Sequence, residues 1–228
     1  MSYLKLLLIR HAQSCGNAEK IMEGQSSTAL SEKGQQQAQQ LGLTLTSSPD
    51  LPTHLYSSPL LRAKQTSEAI AAALRPIHHP FIYKETEALK ELHPGIFQGL
   101  TWPQAEETYP ELCEQLMTKL TWQPIPEAET PSAARNRAKS WFKHILNSHV
   151  AGDVVWAVSH EGFLQHLISV VMGCDRTWQM RIAHTALFEF WISHPTQIKP
   201  NQQASLGEDR FNTEFWIVRR FNDCKHLR

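Results

Sequence analysis

Leu4-Lys5-Leu6-Leu7-Leu8-Ile9, closed by Arg10-His11 and followed by the polar Gln13-Ser14-Cys15-Gly16-Asn17, is the stretch that decides the architecture. A short apolar run cut off abruptly by polar residues reads as a strand buried on both faces, as the strands of a parallel sheet are. Such a strand delivers its last side chains to a loop, and open α/β sheets bind their ligands at the carboxyl ends of their strands. Arg10 and His11 stand there. On their own they fit a solvated arginine and an incidental histidine equally well.

The same pattern returns along the chain. Val154-Val155-Trp156-Ala157-Val158 is the clearest buried strand, and it delivers Ser159-His160-Glu161-Gly162. His54-Leu55-Tyr56-Ser57-Ser58-Pro59 is a shorter strand ending in a turn, and Leu187 to Ile192 and Glu214 to Val218 read as two late strands. Helical spacing lies between them: Ser31 caps a helix through Ala38, Leu41 and Leu45, and Ala63, Thr66, Ala69, Ile70 and Ala73 share one face of a second. A third helix is expected from Trp102 to Leu120, starting around Pro103, and a fourth after Ser132 with Ala134, Ala138, Trp141, Ile145 and Leu146 inward. Gln123 to Pro131 is proline-rich and predicts a loop, and His194 to Arg210 a long polar connection. Strands alternating with helices predict an α/β fold, a three-layer α/β/α sandwich on a mostly parallel central sheet.

Bulk properties narrow the function. A chain of 228 residues can bury a substantial core in one large domain. Lys plus Arg and Asp plus Glu are equal at 22 each, so no overall field draws nucleic acid or a membrane surface, and an anion site must be a local cluster. Cys15, Cys113, Cys174 and Cys224 are widely spaced, without a metal-ligand or disulfide-scaffold pattern. The first nine residues are too short for a signal segment and include Lys5, and no later apolar run reaches membrane-spanning length. A cytoplasmic location is the expectation.

Two arginines and two histidines at the ends of strands can converge on one small anion, and a guanidinium fork suits phosphate because it donates paired hydrogen bonds without losing charge. The residues involved recur in ordered groups: Arg10-His11-x-x-Ser14-x-x-Asn17; Leu30-Ser31-Glu32-Lys33-Gly34 with Gln37-Ala38; Ser57-Ser58-Pro59-Leu60-x-Arg62-Ala63-x-Gln65-Thr66; Glu91-x-x-x-Gly95-x-x-Gln98-Gly99-Leu100; Ser159-His160-Glu161-Gly162; and Phe221-Asn222-Asp223-x-x-His226-Leu227. In this order and over nearly the whole chain, they resemble the histidine phosphatase superfamily, whose other branch is the cofactor-dependent phosphoglycerate mutases.

The resemblance implies a phosphoglycerate mutase-like fold in a single domain, 1–228, with a helical and loop insertion at about 92–150 covering the site. It implies that His11 attacks phosphorus and becomes phosphohistidine, that Arg10, Arg62 and His160 hold the phosphoryl oxygens, and that Asn17, Gly24 and Glu161 complete substrate binding. Glu91 matches the proton donor, with Glu85 and Glu87 as nearby alternatives; a carboxyl beside a dianionic phosphate is kept protonated by like-charge repulsion, which suits an acid. No metal and no cofactor are implied, and the partner is a small phosphomonoester. The fixed cations stabilise the transition state in their place.

Two positions depart from the family pattern. Ala12 stands where glycine is usual, and would be strained by roughly 1 kcal/mol if the position needs positive φ. Ser27 stands near where aspartate is frequent, which touches a peripheral contact. Other chemistries fit less well: His160-Glu161 lacks the second histidine of H-E-x-x-H, and neither G-x-x-x-x-G-K-[ST] nor G-x-G-x-x-G occurs. Cys15 has Ile21, not arginine, six residues on, and reads as a small buried residue beside the site. Within the family, mutases carry a longer insertion with paired arginines and a proline run. Here Arg135-x-Arg137 and Pro124-Ile125-Pro126 are the only echoes, which favours a phosphatase. A phosphate-binding scaffold or sensor on the same fold is the reading from another class. Trp102, Phe97 and the proline loop are placed equally by a pocket mouth or by a core.

Overall fold

A computed structural model of the chain describes residues 3–193 and 216–227. Six strands, β1 (Leu4–Arg10), β2 (His54–Ser57), β3 (Ile82–Glu85), β4 (Val154–Ser159), β5 (Leu187–Ile192) and β6 (Ile217–Asp223), form one sheet in the order β3-β2-β4-β1-β5-β6 among the described residues. The first four are parallel; β5 and β6 extend the β1 side antiparallel. The expected three layers follow from the alternation of side chains along β1. Leu4, Leu6 and Leu8 pack against Ala138, Trp141 and Ile145 of α6 (Pro131–Ser148) and Phe163, Leu164 and Leu167 of α7 (Glu161–Val171). Leu7 and Ile9 pack on the other face against Leu41 and Leu45 of α2 (Glu32–Thr46) and Ala63 and Ile70 of α3 (Leu61–Leu74). Burial on both faces is why the strand carries no alternating polar pattern.

Several boundaries differ from the sequence expectation. The helix expected from Trp102 to Leu120 is two, α4 (Trp102–Thr108) and α5 (Pro110–Thr118), broken at Tyr109. Pro110 cannot donate to the preceding turn and pushes the residue before it out of helical backbone, so Tyr109 sits at φ −133°, ψ 58°. Thr130, not Ser132, caps α6: its side chain accepts from Ala133 N, and Pro131 takes the first turn. The last strand is described from Ile217, and its expected start at Glu214 lies with the 194–210 connection outside the described residues. Phe97 and Trp102 pack with Ala105 and Cys113 in a small satellite core, not at a pocket mouth.

The strand register positions the site. Arg10 is level with Ser159 and Ser57 with Val158, and the ladder runs one step past the strands: His11 N donates to Ser159 O at 2.9 Å and Ser58 N to Val158 O at 3.0 Å. Arg10-His11, Ser57-Ser58 and Ser159-His160 therefore emerge side by side from three adjacent parallel strands.

Candidate active site

Beyond β1 the chain makes a short helix, α1 (Cys15–Ala18), capped by a reciprocal Ser14–Asn17 box. The motif residues of neighbouring segments hold this loop by its backbone. Ala12 N donates to Thr66 Oγ1 at 3.0 Å, Gln13 N to Gln37 Oε1 at 3.0 Å, Leu30 N to Gln65 Oε1 at 2.8 Å and Gln25 N to Gln98 Oε1 at 3.0 Å. Ala12 is not at positive φ, and its methyl packs with Leu30 and Ala38, so the expected strain is absent. Ser27 has a contact of its own, accepting from Leu61 N at the start of α3. Cys15, expected to be buried, is exposed at the start of α1.

The result is a cavity of about 270 Å³ lined by Arg10, His11, Asn17, Gly24, Arg62, Glu91 and Glu161, together with Glu23 and the apolar Ile21, Met22, Leu92 and Pro94. His11 is buried, and its Nδ1–H donates to the Ala12 carbonyl at 2.7 Å. That contact fixes the tautomer and leaves a lone pair on Nε2, to which Arg62 Nε donates at 3.2 Å. Burial first, then the Arg62 and Arg10 charges, hold His11 well below the usual histidine range, so the ring is neutral. Arg62 is anchored by donating to Gly24 O and Ser26 O, each at 2.7 Å. Arg10 donates to the Ile182 carbonyl and pairs with Glu161 at 2.8 Å.

His160 is fully buried, its ring centroid 4.9 Å from that of His11. Ser58 Oγ, which accepts from Leu60 N, lies 2.8 Å from His160 Nε2. Burial, then His11 and the two arginines, keep this ring neutral as well. Two buried nitrogens in the cluster, the donor Arg10 Nε and the ring nitrogen His160 Nδ1, have no partner among the described residues. Buried polar groups are nearly always paired, so an unpaired donor beside a cavity marks a place for an acceptor.

Glu91 stands at the amino end of α7. Its carboxylate accepts from Leu92 N and Phe163 N at 2.9 Å and from Gly162 N at 3.2 Å, a favourable place for negative charge. Gly162 makes room for it, because a Cβ there would lie 2.8 Å from Glu91 Oε1. Glu85 and Glu87 pair instead with Lys64 and Lys90 outside the cavity. Gly24 is required for its backbone: φ is +51°, and an added Cβ would lie 2.1 Å from Pro94 Cδ. Gly24→Ala is expected to cost about 1–2 kcal/mol in conformation alone, with more from the clash. Thermal unfolding should fall by several degrees, and an unchanged midpoint would show that the turn relaxes.

Sequence reading missed Glu23 and His184. His184 lies 6.2 Å from His11 by ring centroid, and its Nε2 is 3.0 Å from Asn17 Oδ1. Burial, then Arg10, Lys33 and Arg181, lower it to about 4. The segment carrying it is fastened by the chain's last motif: Asn222 accepts from Ala183 N and donates to Arg181 O, and buried His226 meets Thr185 Oγ1 at 2.8 Å. Elsewhere, His54, His149 and Asp153 gather near the opposite end of β2 with ligand atoms within 4.8 Å of one another. Both nitrogens of His149 are already engaged there, by Asp153 Oδ2 at 3.2 Å and Tyr56 Oη at 3.0 Å. The Lys84 charge also acts on that ring, so the group is satisfied as a hydrogen-bonded chain.

Fold and cluster together define an α/β protein in which a neutral histidine faces an arginine-lined pocket at the carboxyl edge of its sheet. The model of the histidine phosphatase superfamily (branch 1) matches residues 6–199. A metal-independent phosphoserine phosphatase of Arabidopsis thaliana is 31% identical over 224 residues, 98% of this chain and 83% of that protein. A probable phosphoglycerate mutase, GpmB, of Escherichia coli O1:K1 / APEC is 30% identical over 225 residues, 98% of this chain and 95% of that one. Among solved structures, a mycobacterial glucosyl-3-phosphoglycerate phosphatase superposes with a TM-score of 0.72 at 21% identity, over 97% of this chain and 99% of that one. The chain belongs to the histidine phosphatase superfamily, and its fold is the phosphoglycerate mutase-like one.

Proposed function

We propose that this chain is a metal-independent phosphomonoesterase, acting on a small phosphorylated metabolite through a phosphohistidine on His11. The observation that carries the reading is the state of His11: neutral, with Nδ1–H fixed on Ala12 O and the Nε2 lone pair facing the cavity beside Arg62. A phosphoryl group entering there takes over the Arg62 contact and supplies acceptors for Arg10 Nε and His160 Nδ1. His11 Nε2 then bonds to phosphorus as the bond to the leaving oxygen breaks, and protonated Glu91 gives that oxygen its proton. The ring becomes positively charged, and Ala12 O stabilises it at Nδ1. In the second step Glu91 takes a proton from water, the water oxygen bonds to phosphorus, the N–P bond breaks, and phosphate leaves. Arg10 and Arg62 supply the charge that stabilises both transition states. Asn17 and Gly24 shape the pocket with them, and Glu161 holds Arg10.

The whole chain, 1–228, acts as a single domain in this reading, with Leu92 and Pro94 at the start of the 92–150 insertion closing over the site. A cavity of about 270 Å³ with Ile21, Met22, Leu92 and Pro94 in its lining leaves room for a modest leaving group. Phosphatase is favoured over mutase because Arg135 and Arg137, the pair that might grip a second anion, are committed. Arg137 chelates Glu129 and donates to Ala88 O and Lys90 O, while Arg135 donates to Cys174 O. We also place the protein in the cytoplasm, where the thiols of Cys15, Cys113 and Cys174 would be kept reduced. No helix among the described residues is long and apolar enough to cross a membrane.

The test is phosphate release from a panel of phosphomonoesters in EDTA, with 3-phosphoglycerate plus 2,3-bisphosphoglycerate as a mutase control. Hydrolysis should persist in EDTA and be inhibited by vanadate, which adopts five-coordinate geometry. A strict requirement for an added divalent ion rejects the mechanism, and isomerisation without phosphate release makes the protein a mutase. Inactivity throughout, with phosphate still bound, makes it a scaffold.

A further inference from the structure

The pocket offers a dianion less charge than its arginines suggest. Its lining holds the guanidinium groups of Arg10 and Arg62 but the carboxyl groups of Glu23, Glu91 and Glu161. Each arginine already has an acidic neighbour: Arg10 pairs with Glu161 at 2.8 Å, and Arg62 Nε lies 3.8 Å from Glu23 Oε2. The proposed reaction uses Glu91, first as its acid and then as its base. Glu161 is partly exposed. Glu23 is neither exposed nor used, with 4% of its surface accessible.

The surroundings of Glu23 suit either protonation state. Its Oε2 accepts from Ser14 Oγ at 2.6 Å and Asn17 Nδ2 at 2.8 Å, and its Oε1 accepts from Thr28 Oγ1. Thr28 is a hydroxyl, which can turn from donor to acceptor where a backbone N–H group could not, while Ser14 Oγ already accepts from Asn17 N. A proton arriving on Glu23 therefore finds an acceptor without moving a heavy atom, and Asn17 keeps its contact with the other oxygen. Nearby charged and titratable groups are Arg62 from α3, Arg10 and His11 from the end of β1, and Glu91 from the segment before α4. His184 is linked through Asn17.

Resting on the function proposed above, we infer that Glu23 takes up a proton as a dianionic phosphoryl group binds beside Arg62, so that the pocket's affinity for dianions falls as pH rises. One coupled proton gives a slope approaching tenfold in Kd per pH unit. Below the coupling range, Arg62 is released from its acidic neighbour and its full charge serves the ligand. Above it, Glu23 stays ionised and repels the ligand.

Sulfate is the probe, because it remains a dianion throughout and any pH dependence belongs to the protein. Titrating wild type with sulfate by calorimetry from pH 5.5 to 8.5, in two buffers of different ionisation enthalpy, should show weaker binding with rising pH and uptake of about one proton. Glu23→Gln keeps the shape and removes the charge; it should flatten the slope, lose that proton and bind sulfate at pH 8 about tenfold tighter or better. Wild-type binding that takes up no proton overturns the inference without any variant. So does a slope that survives in Glu23→Gln and vanishes in Glu91→Gln, which assigns the proton to the catalytic acid. In either case sulfate still binds and the phosphatase reading stands. Failure of wild type to bind sulfate at any pH, together with no hydrolysis, removes both.

Discussion

Replacing His11 by alanine should abolish turnover, by about 10⁴-fold or more, while leaving the protein folded. The loss is large because the proposed bond forms at His11 Nε2, and neither His160 nor His184 is among the residues lining the cavity. His160 has its Nε2 on Ser58, and Cys15 lies at the surface. Stability should change little. The substitution removes a buried ring but also the burden of keeping it neutral next to two arginines, so a shift of about 1–2 kcal/mol in either direction is expected. The pH profile carries a second check. Since burial and the arginines hold His11 well below the ordinary histidine value, the nucleophile remains unprotonated through the range where a free histidine gains charge. The acidic limb of kcat/KM should therefore not fall at about 6.5, where an unperturbed imidazole titrates. Phosphate release by His11→Ala within tenfold of wild type would remove His11 as the nucleophile.

The neutral histidines also tie stability to pH, with a definite sign. His11, His160 and His184 are all held below the value they have in the unfolded chain, so between the two values the unfolded state binds more protons. Stability is therefore complete above about 6.5 and declines as pH falls below it, with His184 protonating in the folded state at about 4.

Much of this arrangement was legible from the order of residues because it is local. Leu4 to Ile9 and Val154 to Val158 are buried on both faces, so their apolar runs announce them, and Arg10-His11 and Ser159-His160 follow directly in the chain. The spaced motif residues were readable as a pattern but not as a mechanism. Gln37, Gln65, Thr66 and Gln98 turn out to bind the loop backbone across 24 to 73 residues of sequence. β3 gave no signal because Ile82, Tyr83, Lys84 and Glu85 form an exposed edge strand whose pairing with β2, not its burial, defines it. The break at Tyr109 was written in Pro110, and continuous helical spacing on both sides hid it. Glu23 and His184 belong to no periodicity at all. Glu23 is held in the site by Asn17 of α1, and His184 is there because Asn222 and His226 pin its segment from 39 and 41 residues away, which only tertiary packing reveals.

Glu91→Gln should separate substrates by their leaving groups. Glutamine keeps an acceptor oxygen for the amino end of α7, so the fold loses about one hydrogen bond, roughly 1 kcal/mol. The chemical loss is selective. A sugar phosphate expels an alkoxide that needs a proton as the bond breaks, and kcat/KM for such esters should fall by about 10²- to 10⁴-fold. p-Nitrophenolate is a stable anion and leaves unaided, so kcat/KM for p-nitrophenyl phosphate should stay within about tenfold of wild type. Its kcat should nonetheless fall, because the second step of the proposed reaction also uses Glu91, as the base that activates water. Phosphohistidine then accumulates, and p-nitrophenolate appears in a burst approaching one equivalent per enzyme before a slow steady state. Rapid mixing reads the burst, and steady-state assays on the two ester classes read the split. Equal losses of kcat/KM on both esters would mean that Glu91 acts only by supporting the α7 terminus, and the proton would have to come from elsewhere. A split without a burst would keep Glu91 as the acid and move the hydrolytic base to another group. The geometry favours one residue for both tasks, since Glu91 is the lining carboxylate bonded neither to an arginine nor to the Ser14–Asn17 box.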